Sequence, residues 1–170
     1  CPVLWIAGPP GAGKTTLAAS YLDAGDFPGL WYQLDSGDGD PASFFYYLRQ
    51  AASGRSGRKR ALLPLLTPEY LGDLPGFARR WFREFFRRLP DRVALVLDNY
   101  QEVPAESGLH RMLATATEEV PEGANLIVLS RTDPPPEFSR MLTSDRVATV
   151  DWDDLRLTFE EARGIASARE

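Results

Sequence analysis

The sequence predicts an α/β fold, in which a five-stranded and mainly parallel sheet is the middle layer of a three-layer sandwich. Strand-length apolar runs alternate with helix-like stretches along the chain, the pattern of a sheet wrapped by helices on both faces. Runs such as Val3–Ala7 and Val93–Leu97 are continuously apolar, which is typical of parallel strands buried on both faces. With 170 residues, 44% of them hydrophobic, the chain can form one domain with a full core.

The first strand is followed by a turn and a helix. Val3–Ala7 ends at a run of glycine and proline, and the residues after that run predict a helix over Thr15–Tyr21. Leu17 and Tyr21 lie four positions apart and therefore share one face of this helix. Leu30–Leu34 is a second apolar run of strand length, and the polar sequence DSGDGD after it predicts a loop.

A second helix begins after this loop. Asp40 followed by Pro41 is typical of a helix N-cap and a proline in the first turn. Four residues of this helix are expected to face the core, namely Phe44, Phe45, Tyr47 and Leu48. The basic, glycine-containing stretch GRSGRKR, Gly54 to Arg60, then predicts a mobile loop.

The second half of the chain supplies the other strands and helices. A helix is expected over Pro75–Leu89, and helix-like stretches over Leu109–Glu119 and Glu137–Leu142. A capping box at Thr158–Glu161 predicts a C-terminal helix. The three further strands are Val93–Leu97, Asn125–Ser130 and Arg146–Val150.

Two features that could indicate other functions are interpreted as structural. The sequence FARRWFREFFRRL combines arginines with aromatic residues, as some nucleic-acid-binding helices do, but its apolar residues recur at i, i+3 and i+4. The aromatic side chains therefore share one buried face, and the arginines form the solvated one. His110 is the single histidine and has no cysteine or second histidine with which to share a metal, so we interpret it as structural.

The sequence GPPGAGKTT matches the phosphate-binding P-loop pattern G-x-x-x-x-G-K-[ST] without a mismatch. Its glycines let backbone N–H groups approach phosphate oxygens, and the helix that follows directs its N-terminal dipole at the same anion. Lys14 would bind the β- and γ-phosphates, and the Thr15 hydroxyl would bind Mg²⁺. The predicted nucleotide-binding residues are Gly8, Pro9, Pro10, Gly11, Ala12, Gly13, Lys14, Thr15 and Thr16. We therefore expect a nucleoside triphosphate together with Mg²⁺.

Two further strands end in residues suited to this site. Asp98 closes the apolar run before it, as a strand that supplies a carboxylate to a magnesium ion would. Ser130 and Arg131 end another strand, and parallel strands bring their carboxyl ends to one crevice. Arg131 is therefore expected to sense the γ-phosphate or to stabilise its transition-state charge, the alternative being a surface ion pair with Asp133.

These segments together resemble the ATPase domain of MalT-like, LuxR-type bacterial transcription activators, which are signal-transduction ATPases with numerous domains (STAND). The resemblance rests on GPPGAGKTTLAASYL, WYQLDSGDGDPASFFYYL, LVLDNYQE, LHRML, LIVLSRTDPP and LRLTFEEA, in this order over nearly the whole chain. It implies a particular strand order. In this order, the strand that ends at Ser130 and Arg131, the sensor strand, lies between the strand that precedes the phosphate loop, the phosphate-loop strand, and the strand that ends at Asp98, the magnesium strand. The resemblance also implies ATP, or its product ADP, with Mg²⁺, a sensor role for Arg131, and self-association in the ATP state. DNA and an inducer would be bound by domains outside this chain.

The sequence departs from this family at Asn99, where many relatives carry a second acidic residue that orients the attacking water. A positioned base contributes roughly 10²–10⁴-fold to a rate, so hydrolysis is expected to be slow and binding to persist. Glu102 is the nearest carboxylate downstream and a weak substitute. A slowly hydrolysing switch is the favoured interpretation. The alternatives are a small-molecule kinase, with GRSGRKR as part of its lid, and a nucleotide-binding module without hydrolysis.

Composition narrows the remaining possibilities. The net charge of −5 gives no general attraction to nucleic acid or to an acidic membrane. No apolar run approaches the roughly 20 residues that span a bilayer. Cys1, the single cysteine, excludes an internal disulfide and fits the reducing cytoplasm. The chain opens with Cys1 rather than Met, and we expect residues 1–170 to be one NTPase domain of a larger protein.

Overall fold

The computed structural model describes residues 1–26, 28–53, 63–156 and 163. In this part of the chain, five strands form one sheet in which every pairing is parallel. The strands are β1 (Val3–Ala7), β2 (Gly29–Gln33), β3 (Ala94–Asp98), β4 (Asn125–Ser130) and β5 (Val147–Val150). The helices are α1 (Lys14–Gly25), α2 (Pro41–Ser53), α3 (Leu74–Phe86), α4 (Leu109–Ala116), α5 (Ser139–Thr143) and α6 (Trp152–Leu155). The α/β fold predicted from the sequence is thus confirmed.

The strand order is β2-β3-β4-β1-β5. The sensor strand β4 therefore lies between the phosphate-loop strand β1 and the magnesium strand β3, as the family resemblance implies. All strands run in the same direction, so their carboxyl ends lie at the same end of the sheet. This carboxyl end of the sheet carries the loop after β1 and the polar residues that follow β3 and β4.

The sheet is the middle of three layers. Side chains that alternate along each strand divide between two cores, because successive residues of a strand point to opposite faces. Trp5 and Leu97 belong to the larger core, which α2, α3 and α4 cover. Ile6 and Val96 belong to the smaller one, which Ala18 and Leu22 of α1 cover.

The predicted helical faces are correct in α3 and partly wrong in α2. In α3 the aromatic residues from Phe77 to Phe86 are buried, which confirms the amphipathic interpretation. In α2, Phe44, Phe45 and Leu48 are fully buried, but Tyr47 is 56% exposed. With 3.6 residues per turn, position 47 lies about 100° around the helix from the centre of the face that the other three residues form.

In α1, Leu17 and Tyr21 share a face, as predicted, and the two residues are 44% and 46% exposed. The Asp40 cap is present, because its carboxylate accepts hydrogen bonds from the backbone N–H of Ala42 and Ser43. The predicted loop at residues 54–60 and the predicted capping box at residues 158–161 both lie outside the described residues.

Candidate functional site

The loop between β1 and α1 has the backbone conformation that its glycines permit. Gly11 and Gly13 have φ values of 79° and 81°, in the left-handed region that other residues rarely adopt. A Cβ atom added at either position would meet no protein atom within 4 Å. Glycine is therefore required at these two positions by backbone conformation and not by crowding within the protein.

The start of α1 leaves N–H groups available to a ligand. The first helical hydrogen bond runs from the N–H of Leu17 to the carbonyl of Gly13, at 2.8 Å. The N–H groups of Lys14, Thr15 and Thr16 precede that bond, and no side chain caps this terminus. By contrast, Asp73 caps the start of α3. Uncapped N–H groups at a helix N-terminus form a favourable site for an anion such as phosphate.

The Lys14 ammonium group lies across this loop. Its Nζ donates hydrogen bonds to the carbonyl oxygens of Gly8, at 2.7 Å, and of Pro9, at 3.0 Å. Partial burial lowers the pKa of Lys14, Asp98 opposes this effect, and Arg131 lowers the pKa further. The loop thus holds its cation where phosphate oxygens would enter.

Thr15 and Asp98 meet at the centre of the site although they are 83 positions apart in the chain. The Thr15 hydroxyl donates to Oδ2 of Asp98 at 3.3 Å. Mg²⁺ prefers oxygen ligands, and in nucleotide sites most of them are waters and substrate phosphates, so a protein needs to supply only one or two. The Thr15 hydroxyl and the Asp98 carboxylate are such ligands, and this pair therefore fits a Mg²⁺ site. The described residues contain no group of three or more His, Cys, Asp or Glu side chains able to hold a metal ion.

The turn after β3 begins at Asn99, which has a left-handed backbone with φ 60° and ψ 39°. Asparagine adopts this conformation more readily than most residues do. Its N–H donates to Oδ1 of Asp98 at 2.8 Å and so orients the carboxylate. Glu102, the downstream carboxylate, is exposed in a 3-10 turn and accepts a hydrogen bond from Gln101 at 3.2 Å.

Gln101 is a residue of this site that sequence reasoning missed. Its Oε1 accepts from the backbone N–H of Arg131 at 3.1 Å, and its Nε2 donates to Oδ1 of Asn99 at 3.4 Å. One amide side chain thereby connects the end of β4 to the end of β3. The sequence signal was only a polar residue in a short turn, which carries no information about its partner thirty residues away.

Arg131 lies beside the phosphate loop, where the sequence placed it. It lines the same cavity as Gly8 and Pro9. Among the ion pairs of the described residues there is none between Arg131 and Asp133, so the alternative of a surface pair is not observed. The carbonyl of buried Ser130 accepts from the N–H of Gly8 at 3.2 Å, which fixes β4 against the start of the loop.

Buried side chains next to the turn after β3 form a hydrogen-bonded network. Tyr100 packs edge-on against Trp5, and its hydroxyl lies 2.7 Å from Nδ1 of His110. Nε2 of His110 lies 2.9 Å from the carbonyl of Pro104, which can only accept, so we assign the proton to Nε2 and let the Tyr100 hydroxyl donate to Nδ1. Burial raises the pKa of Tyr100, and Glu137 adds to the rise. His110 is thus structural, as predicted.

The arginine-rich face of α3 is paired with carboxylates. Arg79 contacts Glu118 at 3.1 Å, and Arg83 contacts Glu119 at 2.9 Å. Arg80 contacts Asp73 at 3.8 Å. These pairs neutralise much of the face and agree with its interpretation as solvated surface. In the described part of the chain, no helix is long and apolar enough to cross a membrane.

Comparison with known proteins agrees with this geometry. The NACHT domain family matches residues 2–154 of the chain. The HTH-type transcriptional regulator MalT of Serratia proteamaculans (strain 568) is 30% identical over 165 residues, and that of Cronobacter sakazakii (strain ATCC BAA-894) is 28% identical over 171. These alignments cover 95% and 96% of this chain but only 18% of each relative, so the chain spans less than a fifth of their length.

A solved structure, that of the Aeropyrum pernix ORC1 protein in complex with DNA, matches 98% of this chain and 42% of its own chain. The TM-score is 0.54 at 16% identity, a likeness that shows the fold. The match of the family to residues 2–154 covers the phosphate loop, the magnesium strand and the sensor strand. The chain therefore belongs to the NACHT domain family of P-loop NTPases and is similar over nearly its whole length to the MalT regulators.

Proposed function

We propose that this NACHT domain is the ATP- and Mg²⁺-dependent switch of a longer bacterial transcription regulator. The observation that carries the proposal is the approach of the Thr15 hydroxyl to the Asp98 carboxylate, at 3.3 Å, beside the Lys14 ammonium group. The N–H groups at the start of α1 and Lys14 would hold the phosphates. Thr15 would bind Mg²⁺ directly and Asp98 through water, and the ion would neutralise charge on the phosphates.

Hydrolysis in this site is proposed to be slow. The position after Asp98 carries Asn99, whose amide cannot accept a proton from an attacking water. The Asn99 side chain is also a hydrogen-bond acceptor of Gln101. Arg131 would stabilise the transferring phosphoryl group, but Asn99 supplies no base at the position after Asp98, and a positioned base contributes roughly 10²–10⁴-fold. Slow hydrolysis would prolong the ATP-bound state, which suits a switch better than a metabolic enzyme.

Self-association and the control of DNA binding are further parts of the proposal. Their support is the similarity to the MalT proteins, whose names describe HTH-type transcriptional regulators. Because this chain spans 18% of those relatives, DNA and inducer would be bound by parts of the full-length protein outside residues 1–170. ATP would promote assembly of the full-length protein, and hydrolysis would reverse it.

Single-turnover hydrolysis of ATP by the full-length protein tests the slow step. The Asn99→Asp variant is expected to hydrolyse ATP faster than wild type, because it adds a carboxylate beside Asp98 in a backbone conformation that Asp also tolerates. Asn125→Asp is a matched control, since Asn125 begins β4 at the opposite end of the sheet and receives the same added charge.

Acceleration in Asn99→Asp but not in Asn125→Asp supports the proposal. Equal rates in wild type and both variants would show that position 99 does not limit hydrolysis. If none of the three proteins shows detectable turnover while ATP binding is intact, the proposed reset by hydrolysis is contradicted. The result would then favour a module that binds nucleotide without hydrolysing it.

A further inference from the structure

A cavity of about 470 Å³ opens beside the phosphate loop, on the side of β5. Gly8 and Pro9 of the loop line it, so it is continuous with the proposed phosphate site. Its other walls come from the segment after β4, with Arg131 and Asp133, and from the segment after β5, with the residues around Trp152. Its volume is within the range of small-molecule sites.

The indole of Trp152 is the aromatic surface of this cavity. It is 44% exposed, so part of the indole is accessible to a ligand. Its Cε3 atom lies 3.8 Å from the position that a Cβ would take on Gly8. The first residue of the phosphate loop and the indole are therefore in close proximity.

The walls that carry these groups are held in place by hydrogen bonds. Asp151 caps the turn of Trp152, since its Oδ1 accepts from the N–H groups of Asp153 at 2.8 Å and Asp154 at 3.2 Å. On the other wall, Nε1 of buried Trp5 donates to the carbonyl of Thr132 at 3.0 Å, next to Asp133. These hydrogen bonds fix the backbone of both walls.

The charges of the cavity select the uncharged part of a nucleotide. Apart from Arg131, its charged side chains are the carboxylates Asp133, Asp151 and Asp153, which disfavour phosphate. Asp151 caps its own turn and Asp153 pairs with Arg156 at 3.5 Å, so Asp133 is the carboxylate placed to accept a hydrogen bond from a ligand. The amino group of a base and the hydroxyls of a ribose are donors without negative charge. The loop beside it offers N–H groups and Lys14, which favour phosphate. This division of charge orients a nucleotide with its phosphates on the loop and its base over Trp152.

We propose that the base of the bound nucleotide stacks on Trp152 and that its amino group or ribose hydroxyls donate to Asp133. The inference rests on the proposed function, because it assumes that the loop binds the phosphates of the same nucleotide. It adds the residues that recognise the rest of the molecule. Stacking on an aromatic side chain needs no particular base, so Trp152 supplies affinity and the carboxylate supplies orientation.

The test compares two probes, ATP with Mg²⁺ and inorganic tripolyphosphate with Mg²⁺, on the full-length protein by calorimetry. Trp152→Ala is expected to weaken ATP binding about tenfold or more, the effect of removing a stacked aromatic partner, and to leave tripolyphosphate binding unchanged. Trp152→Phe should restore most of the ATP affinity. Trp31→Ala is a matched control, because that indole is 37% exposed on β2, at the other edge of the sheet, and should change neither affinity.

The inference is overturned if Trp152→Ala leaves ATP affinity unchanged, or if it weakens both probes equally, which would indicate a disturbed phosphate loop. Lys14→Ala separates this failure from that of the proposed function. If wild type binds both probes and Lys14→Ala binds neither, the phosphate site is supported, whatever the result for the Trp152 variants. Wild type that binds neither probe contradicts the phosphate site and the base site together.

Discussion

Replacing Gly13 by alanine tests whether backbone conformation is the reason for glycine in the phosphate loop. Gly13 has a φ of 81° and Gly72 has no positive φ, yet an added Cβ meets no heavy atom within 4 Å at either position. The two substitutions therefore differ in backbone strain and not in steric contact. Gly72 lies in the 3-10 segment Pro68–Asp73, away from the site, and is the matched control.

The expected magnitudes follow from these two conformations. A left-handed conformation costs an L-residue roughly 1–2 kcal/mol. Either alanine also restricts the unfolded chain, which stabilises the protein by about 0.4–1 kcal/mol where the native conformation is compatible. Because that gain is common to both variants, Gly13→Ala should be less stable than Gly72→Ala by about 1–2 kcal/mol.

Chemical denaturation followed by tryptophan fluorescence measures both free energies of unfolding. ATP affinity, measured in parallel, should fall in Gly13→Ala, because relief of the strain would rotate the peptide groups whose N–H groups are proposed to bind the phosphates. The affinity of Gly72→Ala should equal that of wild type. Equal free energies of unfolding in the two variants would refute the assignment of Gly13 to conformational need.

Three further predictions concern Lys14, the buried network and Gln101. Burial lowers the pKa of Lys14 from its ordinary value of 10.5, so the loss of ATP affinity with rising pH, titrated by calorimetry, should have its midpoint below pH 10.5; a midpoint at or above that pH would contradict the lowered pKa. Tyr100→Phe removes the donor to buried His110, which should lower the free energy of unfolding by about 1–3 kcal/mol in a denaturant titration; an unchanged value would contradict the assigned hydrogen bond. Gln101→Leu breaks the connection between the ends of β3 and β4 and should reduce the ratio of ATP to ADP affinity by roughly two- to tenfold, whereas Gln50→Leu on the exposed face of α2 should not.

Much of the fold could be predicted because its strands are uniform. Each is a continuous apolar run between polar turns, and β4, predicted as Asn125–Ser130, has those same bounds in the structure. The order of the strands could not be predicted from these runs, since periodicity does not determine which strands are neighbours. The position of the sensor strand came from the family resemblance. Tyr47 shows the limit of helical spacing, because residues three positions apart can lie on the edge of a face rather than at its centre.

The candidate site could also be predicted only in part. The positions of Lys14, Thr15, Asp98 and Arg131 could be predicted, because a loop motif and the ends of parallel strands determine where these residues lie. The bond from Arg131 to Gln101 could not, since it depends on the register between two strands and the path of a turn. The position of Trp152 beside Gly8 could not be predicted either, because a single tryptophan in an acidic segment gives no periodic signal and Gly8 is distant in sequence.

Self-association of the full-length protein tests most directly whether bound nucleotide controls assembly. Sedimentation velocity would be measured with ATP and Mg²⁺, with ADP and Mg²⁺, and with Lys14→Ala in the presence of ATP. We expect wild type to assemble with ATP, and little assembly with ADP or in Lys14→Ala. The same extent of assembly in all three samples would contradict the proposed switch.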